Sequence, residues 1–298
     1  MRKSAPYARP ENLRPDFAAR LSVTIIIPAH GNQEKLDLAL AALALQNYPK
    51  KLISVIVIDD GSENYLRLPT LRPERTKLLR FTSTSDMWGK TLTINAAAKN
   101  VKSDVIWFLD SDLIVHPDHL REHMKWHHHG AEYIVLGWKR FVASWDYEPK
   151  GLQQTIKAGR FDSLHHQSEP HEYFESRVRA MNNLLDPGLE GFRALVGATL
   201  SMRTMTWQEL GGYNPAFTTA EDTELGWRAI VHGFTLVPEP AARSWHLGLT
   251  TFAQNAERMF AHNNPNLANW IPELRHLRRG REVAGALWEV PDQHVVIN

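Results

Sequence analysis

The chain has 298 residues, 43% of them hydrophobic and 22% charged, with a formal net charge of +1 and no cysteine. The length allows a sizeable core, and the composition is that of an ordinary globular protein. A near-zero charge gives no support for a nucleic-acid partner, and the lack of cysteine excludes disulfides, thiol chemistry and zinc–thiolate sites.

The first stretch, residues 1–20, is basic and proline-containing, and we expect it to be a loosely held arm. It lacks the apolar core of a signal peptide, and no window of the chain approaches the roughly 18 apolar residues that a membrane span needs. These features predict a cytoplasmic protein without a transmembrane segment.

The next stretch predicts a strand, a helix and a second strand. The segment 22–28 (SVTIIIP) is β-branched, apolar and stopped by proline, which is typical of an inner strand. Leucine and alanine recur at helical spacing over 34–46, and a second apolar strand follows at 53–58. That strand ends in an acidic turn, DDGS, which contains Asp59 and Asp60.

The following segments continue the alternation with a short strand at 77–81, a helix at 89–99 and an apolar strand at 103–109. Alternating strands and helices indicate an α/β protein with a doubly wound, mostly parallel sheet and helices on both faces.

Two carboxylates, Asp110 and Asp112, flank Ser111 directly after the apolar strand at 103–109. Neighbouring carboxylates raise each other's pKa, and buried anions need a partner. A divalent cation that holds a phosphate-rich ligand would supply one, at the edge where open α/β sheets bind ligands. The alternative is a solvated turn that merely contains acids.

Four motifs occur in a characteristic order along the chain: SVTIIIPAHG, VIVIDDGS, WFLDSD and AEDTELGWRAIVHGF. Over residues 22–250 this series resembles the GT-A glycosyltransferases of family 2 type, including chondroitin-polymerase-like and polypeptide GalNAc-transferase-like catalytic domains. The resemblance implies a nucleotide-diphospho-sugar donor, a divalent metal on its diphosphate and transfer of the sugar to an acceptor. By the same resemblance, 192–203 is a strand, and Gly211-Gly212 is expected to stop the helix that comes after it. The expected organisation is an N-terminal arm, a GT-A catalytic domain and a helical C-terminal extension packed on that domain, at 1–20, 21–250 and 251–298.

By this resemblance, residues after the first two strands bind the base of the donor. Asp60 would accept a hydrogen bond from the uracil imide N–H, as suits an acceptor-only carboxylate, so the expected donor is a UDP-sugar. Asp59 would support Asp60 or contact the ribose. His30, two residues after Pro28, would stack on the base, and Lys90 at a helix start would meet a phosphate or the base. The alternatives are that DDGS is only a favourable turn sequence, that His30 is a surface histidine and that Lys90 lies on a solvated helix end.

The family pattern also assigns a metal site. Asp112 would be a direct ligand, and Asp110 would contact the ribose or the metal and its bound water, with Ser111 between them in the donor site. His246, which follows a predicted strand at 234–237, would be the third protein ligand. Hard oxygen donors together with phosphate oxygens favour Mn²⁺ or Mg²⁺.

The last motif carries the chemistry. Glu221 and Asp222 open a predicted helix, where acids are favoured by the helix dipole, and capping is their alternative role. By resemblance to inverting enzymes, Asp222 would be the general base and Glu221 would position acceptor hydroxyls. Three alternatives stay open: a retaining GT-A enzyme, a sugar-nucleotide pyrophosphorylase and a catalytically silent nucleotide-sugar-binding protein. A pyrophosphorylase would need a glycine- and arginine-rich phosphate loop after the first strand, which PAHGNQEK does not supply.

The remaining segments concern the acceptor and possible partners. The irregular stretch 139–192 is rich in aromatic residues that could form an acceptor-facing wall: Trp145, Tyr147, Phe161, Tyr173 and Phe174. The acceptor could be a glycan, a natural product or a peptide. The histidines at 127–129 are expected on a solvated helix end, and 245–252 is a candidate lid. The basic tail from Ile271 could dock on the core, pair with another subunit in a homo-oligomer or touch a membrane surface.

Overall fold

The structure is a computed structural model, in which residue 13 and residues 16–81, 90–142, 148–160, 169–170, 191–192, 194–217, 221–248 and 295–297 are described. For 169–170 and 295–297 the description is of the backbone. The predicted acceptor wall lies outside these residues, as do most of the predicted N-terminal arm and all of the predicted C-terminal extension except 295–297.

The first half of the sheet is parallel, as predicted. Its strands are β1 (Val23–Ala29), β2 (Ile53–Asp60), β3 (Thr76–Phe81) and β4 (Val105–Leu109). They pair in the order β3-β2-β1-β4. Helix α1 (Gln33–Leu43) and helix α2 (Lys90–Ala98) connect them in part.

Strand β1 shows why helices cover both faces of this half. Its residues are apolar in succession, so alternate side chains enter different cores. Ile25 packs in the core that contains Leu36 of α1, whereas Ile26 packs in the core that contains Leu92 of α2. The doubly wound arrangement therefore follows from a strand that is apolar on both sides.

The second half of the sheet is largely antiparallel. Its strands are β5 (Leu113–Val115), β6 (Tyr133–Val142), β7 (Glu169–Pro170), β8 (Thr199–Arg203) and β9 (Thr235–Leu247). The last strand, β10 (Val295–Ile297), lies at the opposite edge of the sheet, beside β3. β8 lies between β4 and β6 and is antiparallel to both, whereas β6 and β9 are parallel. β5, β7 and β10 pair antiparallel with β9, β6 and β3.

The helices of the second half cover this part of the sheet. They are α3 (His119–His129), α4 (Pro149–Lys157), α5 (Thr204–Leu210) and α6 (Glu221–Val231), and a 3₁₀ turn, Lys50–Leu52, precedes β2. Gly211 follows α5 with a φ of 73°, which confirms the predicted glycine stop. The strand predicted at 192–203 is shorter than expected, because β8 starts only at Thr199.

The predicted lid at 245–252 is wrong in its first residues. β9 continues to Leu247 because β6 pairs with it as far as that residue and β5 pairs with its end on the other side. Trp245 is consequently buried in a core with Leu38 and Ile114. Residues 249–252 lie outside the described part of the chain.

The prediction of a solvated histidine cluster is wrong for His127. Helix α3 places His119, His123 and His127 four residues apart on one face, and each has 0% exposure. That face packs on β8, where Ser201 Oγ lies 2.7 Å from His127 Nε2. Only His129 of the adjacent three histidines is exposed, because helical position rather than sequence adjacency decides burial.

Candidate active site

Three predicted metal ligands converge at the edge of the sheet. Asp110 and Asp112 follow β4, and β5 then pairs with the end of β9, with Leu113 opposite His246. His246 Nε2 consequently lies 3.3 Å from Asp112 Oδ1. One ligand atom from each of Asp110, Asp112 and His246 lies within 4.8 Å of the others.

The donor atoms of this cluster fit a divalent cation. Burial lowers the pKa of His246, although Asp112 acts in the opposite direction, and the lowered pKa favours the neutral imidazole, whose Nε2 can offer a lone pair. Nδ1 is buried and has no hydrogen-bond partner in the described part of the chain. Two carboxylates and one imidazole suit Mn²⁺, and Mg²⁺ with more bound water.

Two lysines from the first half of the chain contact the acidic pair. Lys90, the first residue of α2, lies 2.6 Å from Asp110 Oδ1. Burial alone would lower the pKa of Lys90, but the nearby carboxylates of Asp110 and Glu221 raise it above the ordinary value. Lys35 of α1 lies 3.8 Å from Asp112 Oδ2 and donates to the backbone carbonyl of Leu247 at 2.8 Å. Each acid of the pair therefore has an ammonium partner.

The backbone holds Asp222 at the start of α6. Its Oδ2 accepts a hydrogen bond from the Gly197 N–H at 2.7 Å, and its Oδ1 accepts one from the Thr223 N–H at 2.6 Å. A Cβ at position 197 would lie 3.1 Å from Asp222 Cβ. The loop before β8 thus approaches the start of α6 closely because residue 197 is a glycine.

Glu221 is a buried acid with an altered protonation equilibrium. It has 8% exposure, and burial, followed by the charge of Asp222, raises the pKa of Glu221 to about 7 despite the opposing effect of Lys90. The raised pKa favours the protonated carboxyl more than in an exposed glutamate, and a protonated carboxyl can donate a hydrogen bond.

Tyr213 is a buried neighbour of this pair that sequence reasoning missed. Its hydroxyl would lie 3.5 Å from a Cβ at position 197, and it has no hydrogen-bond partner among the residues described here. Burial, and then the charges of Glu221 and Asp222, raises the pKa of Tyr213. Tyr213 directly follows Gly211-Gly212, a position that by itself indicates a turn rather than a site residue.

Asp60 and His30 lie together at the neighbouring edge. Asp60 Oδ1 accepts a hydrogen bond from Thr93 Oγ1 at 2.7 Å, and the His30 Nδ1–H donates to the Asp60 carbonyl at 2.7 Å. Asp60 remains half-buried and His30 exposed. Pro28 is half-buried near the end of β1, where it pairs in register with Ile58.

Asp59 supports the loop after β2. It has 2% exposure, and its Oδ1 accepts a hydrogen bond from the Ser62 N–H at 2.8 Å. Its Oδ2 receives longer contacts of 3.4 Å from the Leu66 N–H and from Arg80. This environment favours the supporting role over contact with a ribose.

Two further residues stand near these groups without having been predicted. Tyr65 is 76% exposed, and the Arg80 guanidinium lies 3.5 Å from its ring centroid, next to the loop that Asp59 supports. Lys139 of β6 is almost buried at 9% exposure. Neither residue belongs to a recognisable motif, so only the fold places them here.

The geometry thus unites most of the predicted site. Asp110, Asp112, His246, Glu221 and Asp222 are linked directly or through Lys90, whereas the Asp59–Asp60 turn and His30 form a neighbouring group. Ser111 is half-buried between the two acids. Among the described residues, no helix is both long and apolar enough to cross a membrane.

The matches to known proteins agree on one family. Residues 24–184 match the model described as glycosyl transferase family 2. The uncharacterized glycosyltransferase YfnE of Bacillus subtilis is 31% identical over 43% of this chain and 33% of its own. Validoxylamine A glucosyltransferase of Streptomyces hygroscopicus is 24% identical over 89% of this chain and 61% of its own. This chain therefore spans less than two thirds of the length of these curated relatives.

Solved structures agree with this match. The mannosyltransferase PcManGT from Pyrobaculum calidifontis, in complex with GDP-Man and Mn²⁺, has a TM-score of 0.58 at 17% identity, over 87% of this chain and 66% of that one. S. aureus TarS in complex with UDP-GlcNAc has a TM-score of 0.53 at 18% identity, over 79% of this chain and 61% of that one. At these identities the likeness concerns the fold.

Proposed function

The chain belongs to glycosyl transferase family 2 and has the expected GT-A fold, and we propose that it is a metal-dependent, inverting glycosyltransferase. It would move a sugar from a nucleotide-diphospho-sugar to a hydroxyl of an acceptor. The observation that carries the proposal is the convergence of Asp110, Asp112 and His246 beside the Glu221-Asp222 pair.

The metal site would bind the diphosphate of the donor. Asp110, Asp112 and His246 would hold Mn²⁺ or Mg²⁺, and the bound ion would act as a Lewis acid on the phosphate oxygens. The neutral imidazole and the close ligand atoms support this assignment. The neighbour PcManGT, whose complex contains Mn²⁺, supports it as well.

Uridine is the proposed base of the donor. Asp60 keeps an oxygen that does not bind Thr93, and a carboxylate oxygen can accept the imide N–H of uracil. The TarS complex with UDP-GlcNAc supports a uridine donor, whereas the PcManGT complex contains GDP-Man. The identity of the base therefore requires a direct binding test.

The chemistry proposed for Asp222 is proton removal. Backbone N–H groups fix both of its oxygens, so the carboxylate is oriented before the acceptor binds. As the acceptor oxygen attacks the anomeric carbon, its proton passes to Asp222. Glu221 would orient the acceptor hydroxyls. Validoxylamine A, named in a relative that covers 89% of this chain, is the first acceptor to test.

Asp222→Asn tests the chemistry. The variant keeps the size of the side chain but cannot accept a proton, so transfer should fall at least about 100-fold while donor affinity stays nearly unchanged. NMR of the wild-type product should show the anomeric configuration opposite to that of the donor. Asp118→Asn, an acid at the start of α3, is the matched control and should keep full activity.

The opposite outcomes have distinct meanings. A retained configuration with an active Asp222→Asn enzyme would place the protein among retaining transferases. Equal losses in donor binding and in transfer would make Asp222 structural. Tight binding of the nucleotide-sugar with no transfer to any acceptor and no donor hydrolysis would favour a silent binding protein.

A binding experiment tests the metal separately. Asp112→Asn should abolish the Mn²⁺-dependent part of nucleoside-diphosphate affinity, measured by calorimetry with the metal and with chelator, while the protein stays folded. Wild-type affinity that is the same in chelator would contradict the metal site.

A further inference from the structure

Lys139 is a cation that the proposed function leaves without a role. It has 9% exposure on β6, and its ammonium makes no hydrogen bond or ion pair within the described ranges. Most of the side chain is buried, and a cation held in this way suits an anion that reaches the site from solution. Its setting is therefore compatible with an anionic ligand.

The register of the sheet places Lys139 on the face that carries the metal ligand His246. Residues two apart on a strand point to the same side, so Lys139 and Phe141 share a face of β6. Phe141 lies opposite His246 of β9, with the two ring centroids 5.1 Å apart. Lys139 Nζ is 5.8 Å from the centroid of the Phe141 ring.

The charges of the site act on Lys139 in both directions. Burial lowers the pKa of Lys139, and the charge of Lys90 acts in the same direction, whereas the carboxylates of Asp110, Asp112 and Asp222 oppose it. Lys139 in turn contributes to the lowered pKa of His246. These effects agree with the strand register, which places Lys139 on the face of the sheet that carries His246.

These carboxylates already have closer partners of their own. Lys90 contacts Asp110 at 2.6 Å, and Lys35 contacts Asp112 at 3.8 Å. Backbone N–H groups bind both oxygens of Asp222. The three donors of the Lys139 ammonium are thus available for a further anion.

We propose that Lys139 binds the diphosphate of the donor and stabilises the charge that the leaving nucleoside diphosphate acquires. The proposal rests on the proposed function. During transfer, the bond between the anomeric carbon and the β-phosphate oxygen breaks, and its electron pair remains on that oxygen. The acceptor oxygen forms the new bond to the anomeric carbon and gives its proton to Asp222. The departing diphosphate gains one negative charge, which a nearby fixed cation stabilises.

The experiment compares Lys139→Met, Lys139→Gln and Lys139→Arg with the wild type. Calorimetry in Mn²⁺ with UDP, GDP, pyrophosphate and uridine measures binding, and steady-state kinetics measure transfer. The matched control is Arg140→Met, which removes one positive charge from the next residue of the same strand, on the opposite face.

Loss of the ammonium should weaken pyrophosphate and the preferred nucleoside diphosphate about 10-fold or more, as expected for a charge-assisted contact. Uridine should bind as before, kcat should fall further than the affinity, and Lys139→Arg should recover part of both. If Lys139→Met does not fold, Lys139→Gln supplies the same comparison.

Two outcomes would overturn the proposal. Unchanged diphosphate affinity and kcat in a folded variant would leave Lys139 with a structural role and leave the proposed function intact. A wild type that binds no nucleoside diphosphate in Mn²⁺ would overturn the proposed function and the role of Lys139 with it.

Discussion

Acidification should destabilise the protein through the buried histidines of α3. His119 Nδ1–H donates to the Arg243 carbonyl at 2.8 Å, so the neutral ring accepts at Nε2 from the Thr199 hydroxyl, also at 2.8 Å. The Thr199 oxygen in turn accepts from Trp107 Nε1 at 3.0 Å. Each donor in this series of hydrogen bonds has an acceptor when the His119 ring is neutral. A proton added to Nε2 would break the hydrogen bond from the Thr199 hydroxyl.

The next two histidines share one hydroxyl. Ser201 Oγ lies 2.8 Å from His123 Nδ1 and 2.7 Å from His127 Nε2. Their other ring nitrogens are buried without a hydrogen-bond partner among the described residues. Burial lowers the pKa of His119 and of His127 to about 3 and that of His123 well below its ordinary value.

The sign and size of the effect follow from linkage. With a folded-state pKa below the unfolded value of 6.5, each histidine binds fewer protons in the folded state. Its burial therefore leaves the free energy of unfolding undiminished above pH 6.5 and lowers it progressively as the pH falls from there towards 3. Between pH 7.5 and 5.5 the loss is about 1.4 kcal/mol for each histidine. Glu221 acts in the opposite sense, because its raised pKa makes the folded state bind more protons between about 7 and 4.5.

A comparison of variants isolates the histidines from Glu221. His127→Gln keeps an amide near Ser201 but cannot titrate. Arg203 and His128, whose charges also lower the pKa of His127, are unchanged in this variant. Urea unfolding at pH 7.5 and 5.5 should show a loss smaller by about 1.4 kcal/mol than in the wild type. The exposed His129, changed to Gln, should leave the wild-type dependence unaltered. A full wild-type loss in His127→Gln would refute the reasoning.

Other predictions concern the binding site and α6. Asp60→Ala should weaken the binding of UDP more than that of GDP in a titration, because the lost carboxylate would accept from a uracil imide. Tighter binding of a purine nucleotide than of UDP by the wild type would contradict this prediction. Gly197→Ala should reduce transfer with donor affinity kept, because its Cβ would lie 3.1 Å from Asp222 Cβ, and unchanged transfer would contradict this constraint. Arg228→Met should lower the free energy of unfolding by about 3–5 kcal/mol in urea, because Arg228 and Glu224 form a buried ion pair at 2.6 Å; a loss below about 1 kcal/mol would show that the pair contributes little.

Local patterns predicted the elements that local forces determine. Apolar runs gave β1, β2 and β4, and the acids after β2 and β4 therefore fell at one edge of the sheet. The position of His246 beside Asp112 was implied only by the family resemblance. It depends on the pairing of β5 with β9, which connects residues more than a hundred positions apart. Lys139 could not be predicted for the same reason, because its neighbours come from distant strands.

The histidines show where a sequence pattern was available but was interpreted wrongly. Adjacent residues of a helix point in different directions, so three consecutive histidines at 127–129 cannot share one environment. The spacing of four from His119 through His123 to His127 places one ring per turn on a single face. Whether such a face is buried depends on what packs against it, and here that is β8, a strand inserted antiparallel between β4 and β6.

Strand β8 connects the core with the site. Its residues Thr199 and Ser201 bind the histidine row. Just before it, the Ala198 carbonyl accepts from the Asp110 N–H at 2.9 Å and the Gly197 N–H donates to Asp222 at 2.7 Å. One short segment thus holds an acid of the proposed metal site and the proposed base. Because that segment reaches its place only when β4 and β6 pair with it on both sides, the spacing between the two acids is a property of the whole sheet rather than of either motif.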